Sequence, residues 1–503
     1  MFTDLNEDQL KAVHSQARSL LIVAGPGTGK THTLVRRILS RIHALPPATR
    51  ISAITFTNKS TDEMRTRLAS QISDMNKIFI GTFHQFCLMI LKDYFNISFA
   101  VIDREACETL TGSIWPEFPM SRRKRNLEEI SRWKNTSFDD QIPPLVHQYQ
   151  QALRAGKQYD FDDLLLETLI RLREDHDVLE RVRKDFYDVY IDEYQDINLL
   201  QHELLVLLIG DDQSITAIGD PDQAIYGFRG SDVKFFHSFT KDFPDAEVLY
   251  LRRNYRNASD LLSASRQIIK VSGYRDIPAQ VASIYQKGSL VIHSALTDKA
   301  EAEFIVHSIE KMTGGISMFS RDSQRVGEDD EGKFSFGDIA VLFRLKSQAR
   351  ESIKALERSG IPFHFNGLIR ENGMDIDDDL FDQHFEEGGY QPEKISLMTL
   401  HASKGLEFPC VFICGCEKGL MPLNLLKMKS DDEEERRLFY VGMTRAKERL
   451  IFTHAKKRML YGKTLNPEPS PYLQDIEESL KNYTASQYLK KKQKADDGQM
   501  TLF

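Results

Sequence analysis

The sequence predicts an α/β protein built on two doubly wound parallel sheets, with an α-helical region inserted in the first. Three observations carry this. Short apolar runs of strand type alternate with helical patterns, the runs are numerous enough for two sheets, and the strand signal lapses over one long internal stretch.

The series opens with the apolar run 20–24, followed by a helix-like pattern over residues 30–42, which is the grammar of a βαβ unit. Similar runs stand at 51–56, 189–192, 215–219, 339–343, 411–414 and 450–453. Between about residues 85 and 185 the pattern is helical and charged, and both tryptophans, Trp115 and Trp133, lie there. Two polar stretches, 314–337 and 371–389, are rich in Gly, Asp, Glu or Ser and read as loops or linkers. After about Asp475 the sequence predicts a helix-prone polar segment, a lysine run and a flexible tail, and no internal repeat is found.

A chain of 503 residues is long enough for about three domains. Five cysteines are few for that length, and Cys414 and Cys416 stand too close to form a zinc-ligand set by themselves, so a reducing setting is expected. No charged-then-apolar leader opens the sequence, and no apolar run reaches the roughly 18 residues of a membrane span. A cytoplasmic, nucleoid-associated protein with no membrane partner is the expectation. The net charge of -8 excludes a uniformly basic nucleic-acid binder and leaves room for positive charge confined to one channel. The basic runs 122–125 and 490–494 read as solvated surface, with phosphate contact as the alternative.

The segment Ala24-Gly25-Pro26-Gly27-Thr28-Gly29-Lys30-Thr31 places a glycine-rich turn between a strand and a helix start. Backbone N–H groups there cradle phosphates, Lys30 supplies a point charge, and Thr31 offers a hydroxyl to Mg²⁺. Ala24 occupies the position that usually carries the first glycine, so context must support the assignment. A later strand ends in Asp192-Glu193: one carboxylate can hold Mg²⁺ while its neighbour orients or deprotonates water. Two acids merely capping a strand end is the competing reading.

These two segments stand in fixed order with others: Leu5-Asn6-Glu7-Asp8-Gln9, Thr55-Phe56-Thr57-Asn58-Lys59, Gly81-Thr82-Phe83-His84, Gly219-Asp220-Pro221-Asp222-Gln223-Ala224-Ile225-Tyr226 and Asn254-Tyr255-Arg256. The acidic segment continues as Tyr194-Gln195-Asp196. Thr399-Leu400-His401-Ala402-Ser403-Lys404-Gly405-Leu406-Glu407 and Tyr440-Val441-Gly442-Met443-Thr444-Arg445-Ala446 complete the series. Together they resemble the superfamily 1 DNA helicases of the UvrD/Rep/PcrA type, from residue 5 to about residue 455.

The resemblance implies two RecA-like lobes of the P-loop NTPase class: 1A over residues 1–84 and 186–254, and 2A over 255–475, with a helical subdomain 1B inserted at 85–185 and a tail at 476–503. It implies ATP and Mg²⁺ as ligands. Gln9 would read adenine, Glu407 would meet the ribose, and residues 24–31 would hold the phosphates. Thr31 and Asp192 would bind the metal, and Lys30, Glu193, Gln223, Arg256 and Arg445 would carry catalysis. Single-stranded DNA would run past Phe56, Asn58, Phe83, His84, Tyr226, Phe228, Arg229 and His401, with core burial as the competing reading for each aromatic. Movement 3′ to 5′, with roles at DNA junctions in repair, replication or recombination, is likewise implied.

The sequence departs from the family in two places. Phe228 stands where relatives usually carry Trp, so stacking would use a smaller ring. Between Arg256 and Thr399 the helical subdomain 2B is replaced by a linker at about 368–393, which bears on strand separation more than on translocation. Within that linker Asp375, Asp377, Asp379 and Glu386 have calcium-loop spacing, but Leu380 stands where the turn needs Gly, so a solvated acidic loop is the reading. At the chain end, Gln499, Met500, Leu502 and Phe503 resemble a short peptide that docks on the sliding clamp, against a plain frayed terminus. Two other function classes remain open: an ATP-switched DNA-binding regulator, which an intact Glu193 disfavours, and the motor subunit of a helicase-nuclease whose nuclease is a separate chain.

Overall fold

The computed structural model describes residues 4–43, 49–136, 142–270, 278, 280–283, 287–314, 332–365, 393–425 and 428–486. The lysine run 490–494, the spaced acids Asp375, Asp377, Asp379 and Glu386, most of the linker and the terminal peptide Gln499, Met500, Leu502 and Phe503 lie outside the described residues. The chain divides into two compact units, Met1–Gly288 with Ser430–Lys447, and Ser289–Lys429 with Glu448–Phe503.

In the first unit, strands β1 (Ser19–Ala24), β2 (Arg50–Thr55), β3 (Ile78–Thr82), β4 (Phe186–Ile191), β5 (Ser214–Gly219) and β6 (Glu247–Leu251) form one sheet in the order β3-β2-β4-β5-β1-β6. All its pairings are parallel. The apolar runs form strands because a parallel sheet buries both faces, and β1 sends alternate residues to two cores. Leu21 and Val23 pack on one side with Ile191 and Phe236, and Leu20, Ile22 and Ala24 on the other with Leu34 and Ile38. Each such fully buried Val, Leu or Ile side chain contributes roughly 1.5–3 kcal/mol. Because β1, β5 and β4 are neighbours, their carboxyl ends bring residues 24–31, 219–223 and 192–196 to one edge, where parallel α/β sheets place ligands.

The predicted helical stretch contains the helices Arg104–Ile114, Met120–Thr136 and Pro144–Ala155, with two-residue strands Ala100–Val101 and Gln158–Tyr159. They enclose a small core of their own around Ile102, Cys107, Trp115, Ile130, Val146, Tyr149 and Leu153. The following helices, Phe161–Glu174 and His176–Asp185, pack instead into the core of the first sheet through Leu164, Leu165, Leu169 and Val182. Lys134, fully buried, joins the two through Asp160 and Asp163, 2.7 Å from each carboxylate. In the run 122–125, Arg122 lies over the Phe118 ring at 3.9 Å.

The second unit carries β7 (Ser289–Ala295), β8 (Ile339–Phe343), β9 (Phe363–Phe365), β10 (Ile395–Thr399), β11 (Phe408–Ile413), β12 (Ala446–Ala455) and β13 (Asn482–Ala485) in the order β9-β10-β8-β11-β12-β7-β13. Its centre is fixed by a buried ion cluster, in which Arg458 bridges Glu301 at 2.5 Å and Glu417 at 2.6 Å. The polar stretch 314–337 ends inside this unit's core, where Phe334 is buried with Ile339 and Met312. The helix-prone reading after Asp475 is corrected: short 3₁₀ turns at Pro471–Gln474 and Glu478–Leu480 lead into the exposed edge strand β13. Its sequence, Asn-Tyr-Thr-Ala, has no apolar period, and pairing with β7 makes it a strand.

All five cysteines are free and buried. Among the described residues, no helix is long and apolar enough to cross a membrane.

Candidate functional site

The phosphate loop follows β1 and enters the helix Lys30–Ile42 through Gly29, whose φ of 83° is open to glycine at little cost. Gly27 is also left-handed, and a Cβ there would lie 2.5 Å from the Cβ of Arg256. Arg256 therefore packs directly on the loop. Asn254 Nδ2 donates to Pro26 O at 2.7 Å, and the Tyr255 N–H donates to Gly27 O at 2.7 Å. On the other side Gln9 Nε2 donates to Thr28 O at 3.1 Å, and Thr28 Oγ1 donates to Gly25 O at 2.8 Å. The helix Glu7–His14 holds Gln9 in a capping box with Asn6, whose Nδ2 reaches Tyr255 Oη at 2.8 Å.

Beyond β4, Glu193 sits in the left-handed region (φ 52°, ψ 47°), uncommon for a residue with a side chain. This turn aims its carboxylate at Lys30, whose Nζ lies 3.2 Å from Oε2. The same oxygen accepts from Gln195 Nε2 at 2.6 Å, and Gln195 Oε1 accepts from the Asp220 N–H at 2.9 Å. Gln195 is fully buried and ties the acidic segment to the end of β5. Sequence reasoning did not single it out. Gln223, also buried, donates to Asp220 Oδ2 at 2.6 Å.

Asp192 is buried at the strand end, and Oδ1 accepts the Glu193 N–H at 3.0 Å. Burial and the adjacent Glu193 charge push its pKa up to about 7, against the pull of Lys30. Among the described residues no group of three or more His, Cys, Asp or Glu could hold a metal ion. One buried, charge-crowded carboxylate beside a phosphate loop and Thr31 fits Mg²⁺, which is usually held by one or two carboxylates together with substrate phosphates.

Arg445 follows the helix Asp432–Met443 and is 1 % exposed; its Nε donates to Val441 O at 2.9 Å and its Nη2 to Thr444 Oγ1 at 3.0 Å. A cavity of about 410 Å³ opens beside the loop, lined by Gly25, Asp220, Arg252, Arg266, Gln280 and Tyr440. Lys30 and Glu193 do not line it, so it adjoins that pair without containing it. Glu407 and His401 belong to the second unit, Glu407 exposed and His401 half-buried in the turn His401–Ser403.

The aromatic residues divide by exposure. Phe56 and Tyr226 stack with ring centroids 5.1 Å apart and 13° between planes, so neither inner face is open to a base in this arrangement. Phe228 is 39 % exposed, and the Arg229 guanidinium lies over both Tyr226 and Phe228, 5.5 and 5.6 Å from the ring centroids. Asn58 is exposed at the start of the helix Asn58–Ala69. Phe83 is a correction: it is 4 % exposed inside the first core and presents no ring face for stacking. His84 lies edge-on to Phe161 at 5.8 Å. Burial lowers the His84 pKa, opposed by Asp162 and Asp160. Phe161 is 52 % exposed and was missed; a lone Phe among acids at a helix start gives no pattern signal, and only the fold reveals its exposure.

Comparison with known proteins bears on this arrangement. Residues 5–244 match the UvrD/REP helicase N-terminal domain, and residues 249–370 and 378–457 match the UvrD-like helicase C-terminal domain. The chain is 26% identical to the ATP-dependent DNA helicase PcrA of Staphylococcus aureus (strain Mu50 / ATCC 700699), with 95% of this chain and 87% of that protein covered. It is also 26% identical to the same-named protein of Leuconostoc citreum, covering 95% of this chain and 85% of the relative.

Proposed function

This chain belongs to the UvrD/REP helicase family, and we propose that it is an ATP-driven, 3′ to 5′ single-stranded DNA translocase and helicase, working in the cytoplasm at the nucleoid on junctions formed in repair, replication or recombination. The observation that carries this reading is the bonded group Lys30–Glu193–Gln195–Asp220, set beside an arginine, Arg256, that packs on the phosphate loop.

Lys30 and the loop N–H groups bind and orient the phosphates of ATP. Thr31 and Asp192 hold Mg²⁺, which when bound neutralises charge on the phosphate oxygens. Glu193 takes the proton of the attacking water, and Gln195 fixes the orientation of its carboxylate. Gln223, Arg256 and Arg445 meet the charge of the departing phosphoryl group, while Gln9 and Glu407 recognise the adenosine. Single-stranded DNA runs over Phe228, Arg229, Phe56, His84, Asn58 and His401, with Tyr226, 5 % exposed, backing Phe56 from within, and the exposed Phe161 joins that track.

Two features support a compact motor without 2B. The alignment with the Staphylococcus aureus relative runs over 653 positions, 150 more than the 503 residues of this chain. Only residues 366–392 separate β9 from the segment leading into β10. The terminal Gln499, Met500, Leu502 and Phe503 we assign to clamp docking on sequence grounds; deleting residues 499–503 should abolish clamp binding, and unchanged affinity would sink that assignment.

The function is tested by ATP hydrolysis with and without single-stranded DNA. Wild-type protein should be stimulated by DNA, and Glu193→Gln should lose on the order of 100-fold or more in turnover, as expected for a general base. ATP hydrolysis indifferent to DNA would overturn the motor reading.

A further inference from the structure

A continuous bonded path runs from the phosphate loop to the aromatic loop that carries Phe228, and it passes through one helix. At the phosphate end, Asn254 Nδ2 donates to both Pro26 O and Asn257 Oδ1, at 2.7 and 3.0 Å, and Asn254 Oδ1 accepts the N–H groups of Arg256 and Asn257. Asn257 Nδ2 in turn donates to Thr444 O at 3.0 Å and Ala446 O at 2.6 Å, gripping the chain on either side of Arg445. From there the helix Asp432–Met443 runs back toward Glu434, a rigid rod on the order of 15 Å between these points at 1.5 Å per residue.

At the far end the contact is built from both sides. The Gly227 N–H donates to Glu434 Oε1 at 3.0 Å. A Cβ at Gly227 would lie 2.5 Å from Glu434 Oε2, so the loop residue must lack a side chain for the carboxylate to straddle it. Gly227 opens the 3₁₀ turn Gly227–Arg229, and its carbonyl accepts the Gly230 N–H at 2.9 Å. Whatever holds Gly227 therefore sets the pose of Phe228 and Arg229. Glu434 stands in the first turn of its helix among Asp432, Glu433 and Glu435, and it is the carboxylate that accepts the Gly227 N–H. Burial raises its pKa, while the Gly227 N–H favours the ionised form, as a charge-assisted bond does.

We propose that Glu434 is a positioning residue that couples the nucleotide end of this helix to the loop on which single-stranded DNA stacks, so that the pose of Phe228 and Arg229 follows the state of the phosphate loop. In this role it acts through Gly227 and not by contact with nucleotide or DNA. The proposal rests on the motor reading above.

The test uses the full chain with Glu434→Ala, Glu434→Gln, Gly227→Ala and the Glu434→Ala/Gly227→Ala double variant. DNA-independent ATPase serves as the folding check, and the readouts are the DNA concentration for half-maximal stimulation and the nucleotides travelled per ATP. Glu434→Ala should keep its basal ATPase, need on the order of tenfold more DNA, as loss of a hydrogen bond to a charged group implies, and travel fewer nucleotides per ATP. Glu434→Gln, whose Oε1 still accepts, should recover most of both. Gly227→Ala should resemble Glu434→Ala and add nothing to it in the double variant, because both break one contact. Wild-type coupling in Glu434→Ala, or fully additive effects in the double variant, would overturn the proposal while leaving the motor intact. A wild-type protein that DNA does not stimulate would remove both.

Discussion

Glu193 combines the two features that mark a working side chain: a left-handed backbone, which costs a non-glycine residue on the order of 1–3 kcal/mol, and a carboxylate shared between Lys30 and Gln195. Gln195 accepts the Asp220 N–H through Oε1 and donates through Nε2 to Glu193 at 2.6 Å and, more weakly, to Asp196 at 3.3 Å, so its amide orients the Glu193 carboxylate. Gln195→Ala should therefore lower ATP turnover by roughly 10–100-fold, the scale of a misoriented general base, with little change in KM for ATP; a selective rise in KM would show that Gln195 binds nucleotide instead. At this scale residue type and spacing made legible the pairing of Lys30 with Glu193, which the structure brings within 3.2 Å. The sequence was not legible for Gln195, whose importance lies in which atoms its amide meets, nor for Phe83, whose ring turns into the core although its neighbour His84 does not.

Among the elements, seven interior strands were readable because burial on both faces demands continuous apolar runs, as in 20–24 and 339–343, whereas β7 and β10, also interior, were missed. Edge elements escaped: β9 has three residues, and β13 is polar and exposed, so neither carries a periodic signal. The helix Met120–Thr136 shows how an insert is secured by charge, since Lys134 is fully buried between Asp160 and Asp163. Lys134→Ala leaves two buried carboxylates unpaired and should cost about 3–5 kcal/mol, the range for breaking a buried pair; urea unfolding should show it, and a loss below about 1 kcal/mol would mean that water reaches the pair. In the second unit, His293 stacks on Phe304 and meets Thr484 Oγ1 at 2.9 Å and Ser486 Oγ at 3.1 Å. Burial lowers its pKa to about 4, opposed by Glu301. The unfolded chain takes up that proton near pH 6.5, so stability from neutral His293 is whole above that pH and is lost as pH falls toward about 4. The urea midpoint should fall across that window, and more gently in His293→Gln; identical pH profiles would exclude His293 as the cause.

For the whole molecule, membership of the UvrD/REP helicase family and two parallel α/β lobes leave the output of the motor as the central question. On the proposed reading, in which a linker stands in place of 2B, the chain should move along DNA and open a duplex ahead of it. The most direct measurement is strand displacement on duplexes with a 3′ tail, a 5′ tail or blunt ends, run with ATP and with Glu193→Gln as control. The account predicts displacement of the 3′-tailed duplex alone, abolished in Glu193→Gln. Equal displacement from both tails, or none from the 3′-tailed duplex by a protein whose ATPase responds to DNA, would contradict it.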